Sequence, residues 1–66
     1  MSDFKTRLIN EQSELQEKAD KLFSFSTSDN WANLPKEQRE LLDIQYHAML
    51  TYLRCLEARL RILNKN

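Results

Sequence analysis

The sequence predicts an all-α fold: an antiparallel helical hairpin that assembles with copies of itself into a compact homo-oligomer. Three observations predict it. Gly is absent and Pro35 is the only proline, which argues against a β-rich fold built on tight turns. Apolar residues recur at helical spacing on both sides of one polar, turn-forming stretch. The second apolar segment also carries more hydrophobic surface than the first can cover.

Size sets the terms. A domain of 66 residues buries only about 60% of its unfolded surface and is marginal alone. Disulfides, a metal or oligomerisation usually support such chains. Cys55 is the only cysteine, so an internal disulfide is excluded. His47 and Cys55 cannot by themselves complete a four-ligand zinc site, so no metal or other cofactor is expected. Regular helix packing and association remain. The opening MSDFKTRLINEQ has no apolar core of a signal peptide. The run Tyr46–Leu63 carries too many charges to span a membrane. A cytosolic protein with a reduced Cys55 is expected.

The first helix is expected from about residue 3 to 25. Phe4, Leu8, Leu15, Leu22 and Phe25 form its seam, with gaps at Glu11 and Lys18 where apolar residues would fit. Ser2 or Asp3 can cap its start. Residues of about 26–34 form the turn, since STSDNWANLPKEQ has the Ser, Asp, Asn and Pro of a connection. Trp31 is read as a lid on the core, with a binding platform as the alternative. The second helix is expected over about 35–63, with Asn33 or Leu34 starting it and Pro35 in its first turn, where a missing N–H costs little. The whole chain, residues 1–66, makes a single hairpin domain.

Three apolar stripes run along this second helix. One is Leu42, Met49, Tyr52, Leu56 and Leu63. Another is Leu34, Leu41, Ala48, Cys55 and Ile62. The last is Tyr46, Leu50, Leu53 and Leu60. One partner helix covers about one stripe. The remaining stripes are expected to meet further copies of the chain, in an oligomer larger than a dimer. Ala48 either lets another helix come close or serves simply as a helix former.

The formal net charge is zero, but the charges are not evenly spread. Lys5, Arg7, Arg54, Arg59, Arg61 and Lys65 outnumber Asp3 and Glu57 by four, and the stretch Glu11–Asp43 has the opposite imbalance. A hairpin therefore has a basic open end and an acidic turn end. Matching of the helix dipole accounts for Arg61 and Lys65. It accounts poorly for Arg54, which lies among Leu50, Leu53, Cys55 and Leu56. A buried guanidinium needs an anion, which is either Glu57 or Glu11 or a phosphate. Lys18 poses the same question; it snorkels, pairs with Glu14, or meets a ligand. Phe4 and Arg7 stand together near the basic end. An aromatic face beside a guanidinium can stack a base and hold its phosphate, although Phe4 also reads as the first core residue.

Enzyme machinery is missing from the sequence. There is no Gly-rich phosphate loop, no nucleophile elbow and no His–carboxylate pair at helical metal spacing. His47 is the only histidine, and Asp43 four residues before it offers ordinary surface pairing. A binding or structural protein is expected, not an enzyme.

The order FKTRLINEQSELQEKADKLFSF, then NLPKEQRELLDIQYHAMLTYLRCLEARL, resembles the small helical-hairpin proteins of tailed phages. These include the crAss-phage related hairpin proteins and the anti-CBASS and anti-Thoeris sponges. The resemblance rests on F-K-x-R-L, E-L-x-x-K-x-x-K-L and E-Q-x-x-L-L-x-x-Q-x-x-A-M-x-x-Y, and covers nearly the whole chain. It implies a hexamer of hairpins that binds cyclic oligonucleotide signals of bacterial immunity in the host cytoplasm without cleaving them. Cyclic di- and trinucleotides and cyclic ADP-ribose isomers are the implied ligands; a membrane or a DNA or RNA polymer is not. By the same resemblance Phe4 stacks on a base, Arg7 meets phosphate or base edges, and Leu8 completes that motif. Lys18 stands at the first-helix lysine of the family, and Arg54 serves a trinucleotide pocket. Two departures from the family pattern bear on the ligand set. Many members have a polar pair at Leu53-Arg54, and better-known sponges carry an N-terminal extension with a Tyr. The alternative from another class is a helical module that binds a protein and no small ligand.

Overall fold

The computed structural model describes residues 2–65, and all its regular structure is helical. Helix α1 spans Ser2–Ser26, α2 spans Asp29–Ala32 and α3 spans Lys36–Asn64. Contacts at both ends set the direction. The Arg59 guanidinium lies over the Phe4 ring at one end. Phe23 and Tyr46 meet ring to ring, 5.9 Å apart, near the other. The two long helices are therefore antiparallel, in a rod of 48 × 14 × 14 Å.

Local chemistry explains the boundaries. Asp3 lies inside the first turn of α1 rather than capping it, and its charge suits the positive end of the helix dipole. The Ser2 side chain, the other expected cap, lies outside the described residues. At its far end α1 stops without glycine and without any positive φ. Instead Ser26, Thr27 and Ser28 each donate a hydroxyl hydrogen bond to the carbonyl three residues back, at 2.6, 2.9 and 2.6 Å. These bonds satisfy carbonyls that a helix end leaves open. The connection then holds the short α2, where the sequence suggested only a turn. Trp31 sits in it, half-buried, its ring edge-on to Phe25 at 5.9 Å. Pro35 proves to be the N-cap of α3 rather than a residue of its first turn. Its backbone is extended (φ −57°, ψ 146°), and its carbonyl accepts from the N–H groups of Gln38 and Arg39. Leu34 cannot start the helix, because a residue before proline is pushed out of the α region.

The seam of α1 differs from the expected one. Its buried or half-buried positions are Leu8, Gln12, Leu15, Gln16, Ala19, Leu22, Phe25 and Ser26, among which Leu8, Gln12, Leu15, Ala19, Leu22 and Ser26 follow one another at alternating steps of four and three. Ala19, 1% exposed, fills the place assigned to Lys18. Lys18 and Glu11 are exposed. The seam is thus turned by one residue at two points, and the apparent gaps vanish. Ala19→Glu is expected to unfold the hairpin, because it would bury a charge where α3 covers α1. Lys18→Ala should leave stability within about 0.5 kcal/mol. Thermal melts of the two variants check this.

Helix α3 covers α1 with Leu42, Tyr46, Met49, Leu53, Leu56, Leu60 and Leu63, all buried or half-buried. These residues merge two of the three stripes, which lie side by side on the helix. The expectation that α1 covers only one is corrected: two interleaved stripes, 40° apart by helical geometry of about 100° per residue, make one face. The stripe through Leu41, Ala48, Cys55 and Ile62 turns outward, and Tyr52, expected in the first stripe, is exposed as well, at the edge of the covered face. The fully buried core is small, namely Leu8, Ala19, Leu53 and Leu56. Among the described residues, no helix is long and apolar enough to cross a membrane.

Candidate functional site

A cleft of about 290 Å³ opens at the basic end of the hairpin. Four of its walls come from α1: Phe4, Arg7, Leu8 and Glu11, spaced so that one helix face presents them all. The fifth, Arg59, reaches across from α3. Buried Leu8 is the floor. The Phe4 ring is half open to solvent, with the Arg59 guanidinium carbon 5.9 Å from its centroid, a cation–π arrangement. Two guanidinium groups face one carboxylate, so the cleft is net positive. Among the described residues none of Arg7, Glu11 and Arg59 forms an ion pair. Their donors and acceptors are open to a ligand. An aromatic face, an apolar floor and two planar forks can hold a flat ring and a phosphate together.

Phe4, Arg7 and Leu8, three of the residues singled out from the sequence, thus come together. Lys18 and Arg54 do not join them. Lys18 lies along α1 toward the turn, exposed. The expected pairing of Lys18 with Glu14 does not form; the ion pair on this stretch is Lys21–Glu17, at 3.1 Å. Arg54 is exposed rather than buried, and it pairs with neither Glu57 nor Glu11. It points from the side of α3 away from α1, so the argument from burial does not apply within one chain. Arg59 was counted in the sequence only as part of the basic end. Its meeting with Phe4, 55 positions earlier, depends on the axial register of the two helices.

Two further hollows are less suited to a ligand of this kind. One of about 140 Å³ lies at the turn, lined by Phe23, Trp31, Tyr46 and His47 among others. There His47 Nδ1–H donates to the Asp43 carbonyl at 2.8 Å, with the Asp43 carboxylate 3.7 Å away. A wider depression of about 640 Å³ runs along Gln12, Gln16 and Asp20, but α1 alone lines it and nothing encloses a ligand. Among the described residues no cluster of three or more His, Cys, Asp or Glu could hold a metal.

Comparison with known proteins agrees with this picture of a binding protein. The family model described as Sequestin matches residues 2–62. No curated protein and no solved structure matches the chain.

Proposed function

Because the chain belongs to the Sequestin family, we propose that it is a phage immune-evasion protein that sequesters cyclic oligonucleotide second messengers in the host cytoplasm. The family name implies sequestration, and the resemblance to the phage sponges supplies the ligand class. The observation that carries the reading is the Phe4 ring beneath the Arg59 guanidinium, with Arg7 and Glu11 beside it. A base stacks on Phe4, the guanidinium groups of Arg7 and Arg59 take phosphate oxygens, and Glu11 accepts from a base edge. Binding occurs without turnover: the protein holds the signal and lowers its free concentration by mass action, so that CBASS-type effectors stay inactive.

The cleft of one hairpin is shallow, and seven large hydrophobic side chains of the described residues remain exposed, among them Phe4, Phe23, Leu41 and Ile44. Both features support a homo-oligomer, a hexamer by the resemblance, whose neighbouring hairpins complete the cleft. Arg54 and Lys18, exposed in the single chain, then line crevices between subunits, where Arg54 serves cyclic trinucleotides.

The experiment is a calorimetric titration against cyclic di- and trinucleotides and cyclic ADP-ribose isomers, with the ligand recovered and checked for integrity. Tight binding of intact ligand is expected. At a free concentration near 100 times the dissociation constant, the ligand should also stabilise the fold by roughly 2.7 kcal/mol. A converted ligand would mean an enzyme. No binding across the panel would return the protein to the class of helical interaction modules.

A further inference from the structure

The turn end of the hairpin holds an aromatic hollow that the proposed nucleotide cleft does not use. Its volume is about 140 Å³. All three helices contribute to it: Phe23 and Ser26 from α1, Trp31 from α2, and Asp43, Tyr46 and His47 from α3. The Phe23 and Tyr46 rings stand beside each other, 5.9 Å apart and tilted by 33°, and form one wall. The His47 ring stands nearly perpendicular to Tyr46, at 80° and 5.7 Å, and turns a corner. Trp31 is held by its edge-on contact with Phe25. Core packing does not account for Phe23, which is 55% exposed.

The polar groups of this hollow differ in kind from those of the cleft. No Lys or Arg lines it, and Asp43 is its one acid. Lys21 and Lys36, cations near it in sequence, are held by Glu17 at 3.1 Å and Glu40 at 3.9 Å. Among the described residues Asp43 pairs with His47 alone, at 3.7 Å, and that ring opposes its charge only when protonated. Acceptors outnumber donors. Ser26 Oγ gives its hydrogen to the Phe23 carbonyl, at 2.6 Å, and keeps lone pairs to offer. His47 Nδ1–H donates to the Asp43 carbonyl, so Nε2 of the neutral ring is an acceptor. Against these stand two donors, the indole N–H of Trp31 and the hydroxyl of Tyr46. Electron-rich ring faces, a carboxylate and spare lone pairs together suit a cation that carries N–H groups. The same carboxylate repels a phosphate.

We propose that the hollow binds a small primary alkylammonium ion. The alkyl stem lies among Phe23, Trp31 and Tyr46. The ammonium group donates to the Asp43 carboxylate, with the lone pairs of His47 and Ser26 for its remaining hydrogens. Size agrees: at about 30 Å³ for a water-sized atom, the volume admits roughly five non-hydrogen atoms, such as a four-carbon stem and its nitrogen. A quaternary ammonium has no N–H to give these acceptors and fits less well. The Asp43 carboxylate is exposed, so solvent screens the ion pair and the stem among the rings supplies much of the affinity. The site stands apart from the nucleotide reading. It lies at the opposite end of the rod from Phe4 and Arg59 and carries the opposite charge.

Trp31 is the only tryptophan, so its fluorescence reports on this hollow. The full chain is titrated, at constant ionic strength and without nucleotide, with three probes of equal size: n-butylammonium, its neutral counterpart 1-butanol, and tetramethylammonium. A saturable change with n-butylammonium in roughly the millimolar range is expected, with the other two at least roughly 3-fold weaker. Asp43→Asn should weaken n-butylammonium roughly 3- to 10-fold and leave 1-butanol unchanged, since only the charge is removed. Phe23→Leu should weaken n-butylammonium roughly 2- to 5-fold through the lost ring face. Both substitutions fall on exposed side chains, so each variant should keep the wild-type circular dichroism. A response to 1-butanol as strong as to n-butylammonium would mean an apolar hollow without charge preference and would overturn the proposal. So would equal binding of tetramethylammonium, an affinity unchanged by Asp43→Asn, or no saturable change with any probe.

Discussion

Arg59→Ala should weaken cyclic nucleotide binding by roughly 10- to 100-fold, the value of one charged hydrogen-bonding group at about 1.5–3 kcal/mol. The side chain is exposed and lies over the Phe4 ring, so its loss should leave the fold intact. Arg59→Lys should recover only part of the affinity, because an ammonium keeps the charge but loses the planar fork and most of the stacking. Phe4→Ala should cost a comparable factor through lost stacking, about 1–3 kcal/mol per base. Calorimetry against the tightest ligand of the panel, with circular dichroism on each variant, makes the measurement. Unchanged affinity in Arg59→Ala would remove the cleft from the binding site and leave the basic end as dipole matching alone.

Leu56→Ala should be the most damaging single truncation for stability. Leu56 is the side chain with 0% exposure, at the centre of the face that α3 turns to α1. Removing a buried leucine typically costs 2–5 kcal/mol, part in lost transfer free energy and part in the cavity left behind. A chain of this size has about 3–10 kcal/mol in total, so the variant should melt at least roughly 10 °C lower. If association supports the fold, the melting temperature of the variant should rise with protein concentration. Melts at two concentrations separate the terms. A drop of less than about 3 °C would mean that the intrachain seam contributes little and that contacts between copies carry the stability.

The two predictions draw on different layers of information. Leu56 could be marked from the sequence, as a member of an apolar stripe on a long helix. Arg59 could not. Phe4, Arg7 and Leu8 share one helix face, and their proximity follows from 3.6 residues per turn alone. Arg59 joins them only because α3 returns antiparallel at one axial register, and that register depends on how side-chain volumes interlock along the whole seam. Lys18 and Arg54 were read by their apolar neighbours in sequence. Neighbours in sequence on a helix point 100° apart, so an arginine among leucines can still face solvent.

By itself, the sequence determined the helical class, the place of the connection and the amphipathic character of both long helices. Absent glycine, a single proline and regular apolar spacing are local facts, and local facts decide whether a segment is helical. The tertiary structure alone decided which of two adjacent residues enters the seam. Lys18 and Ala19 fit the heptad spacing of α1 equally well, and only the presence of α3 buries Ala19 and leaves Lys18 in solvent. It also decided that two stripes of α3 serve the hairpin and one faces outward, because stripes 40° apart by helical geometry share a partner while one about 100–140° away from them does not. Periodicity fixes which residues share a face; only packing fixes which face is turned inward.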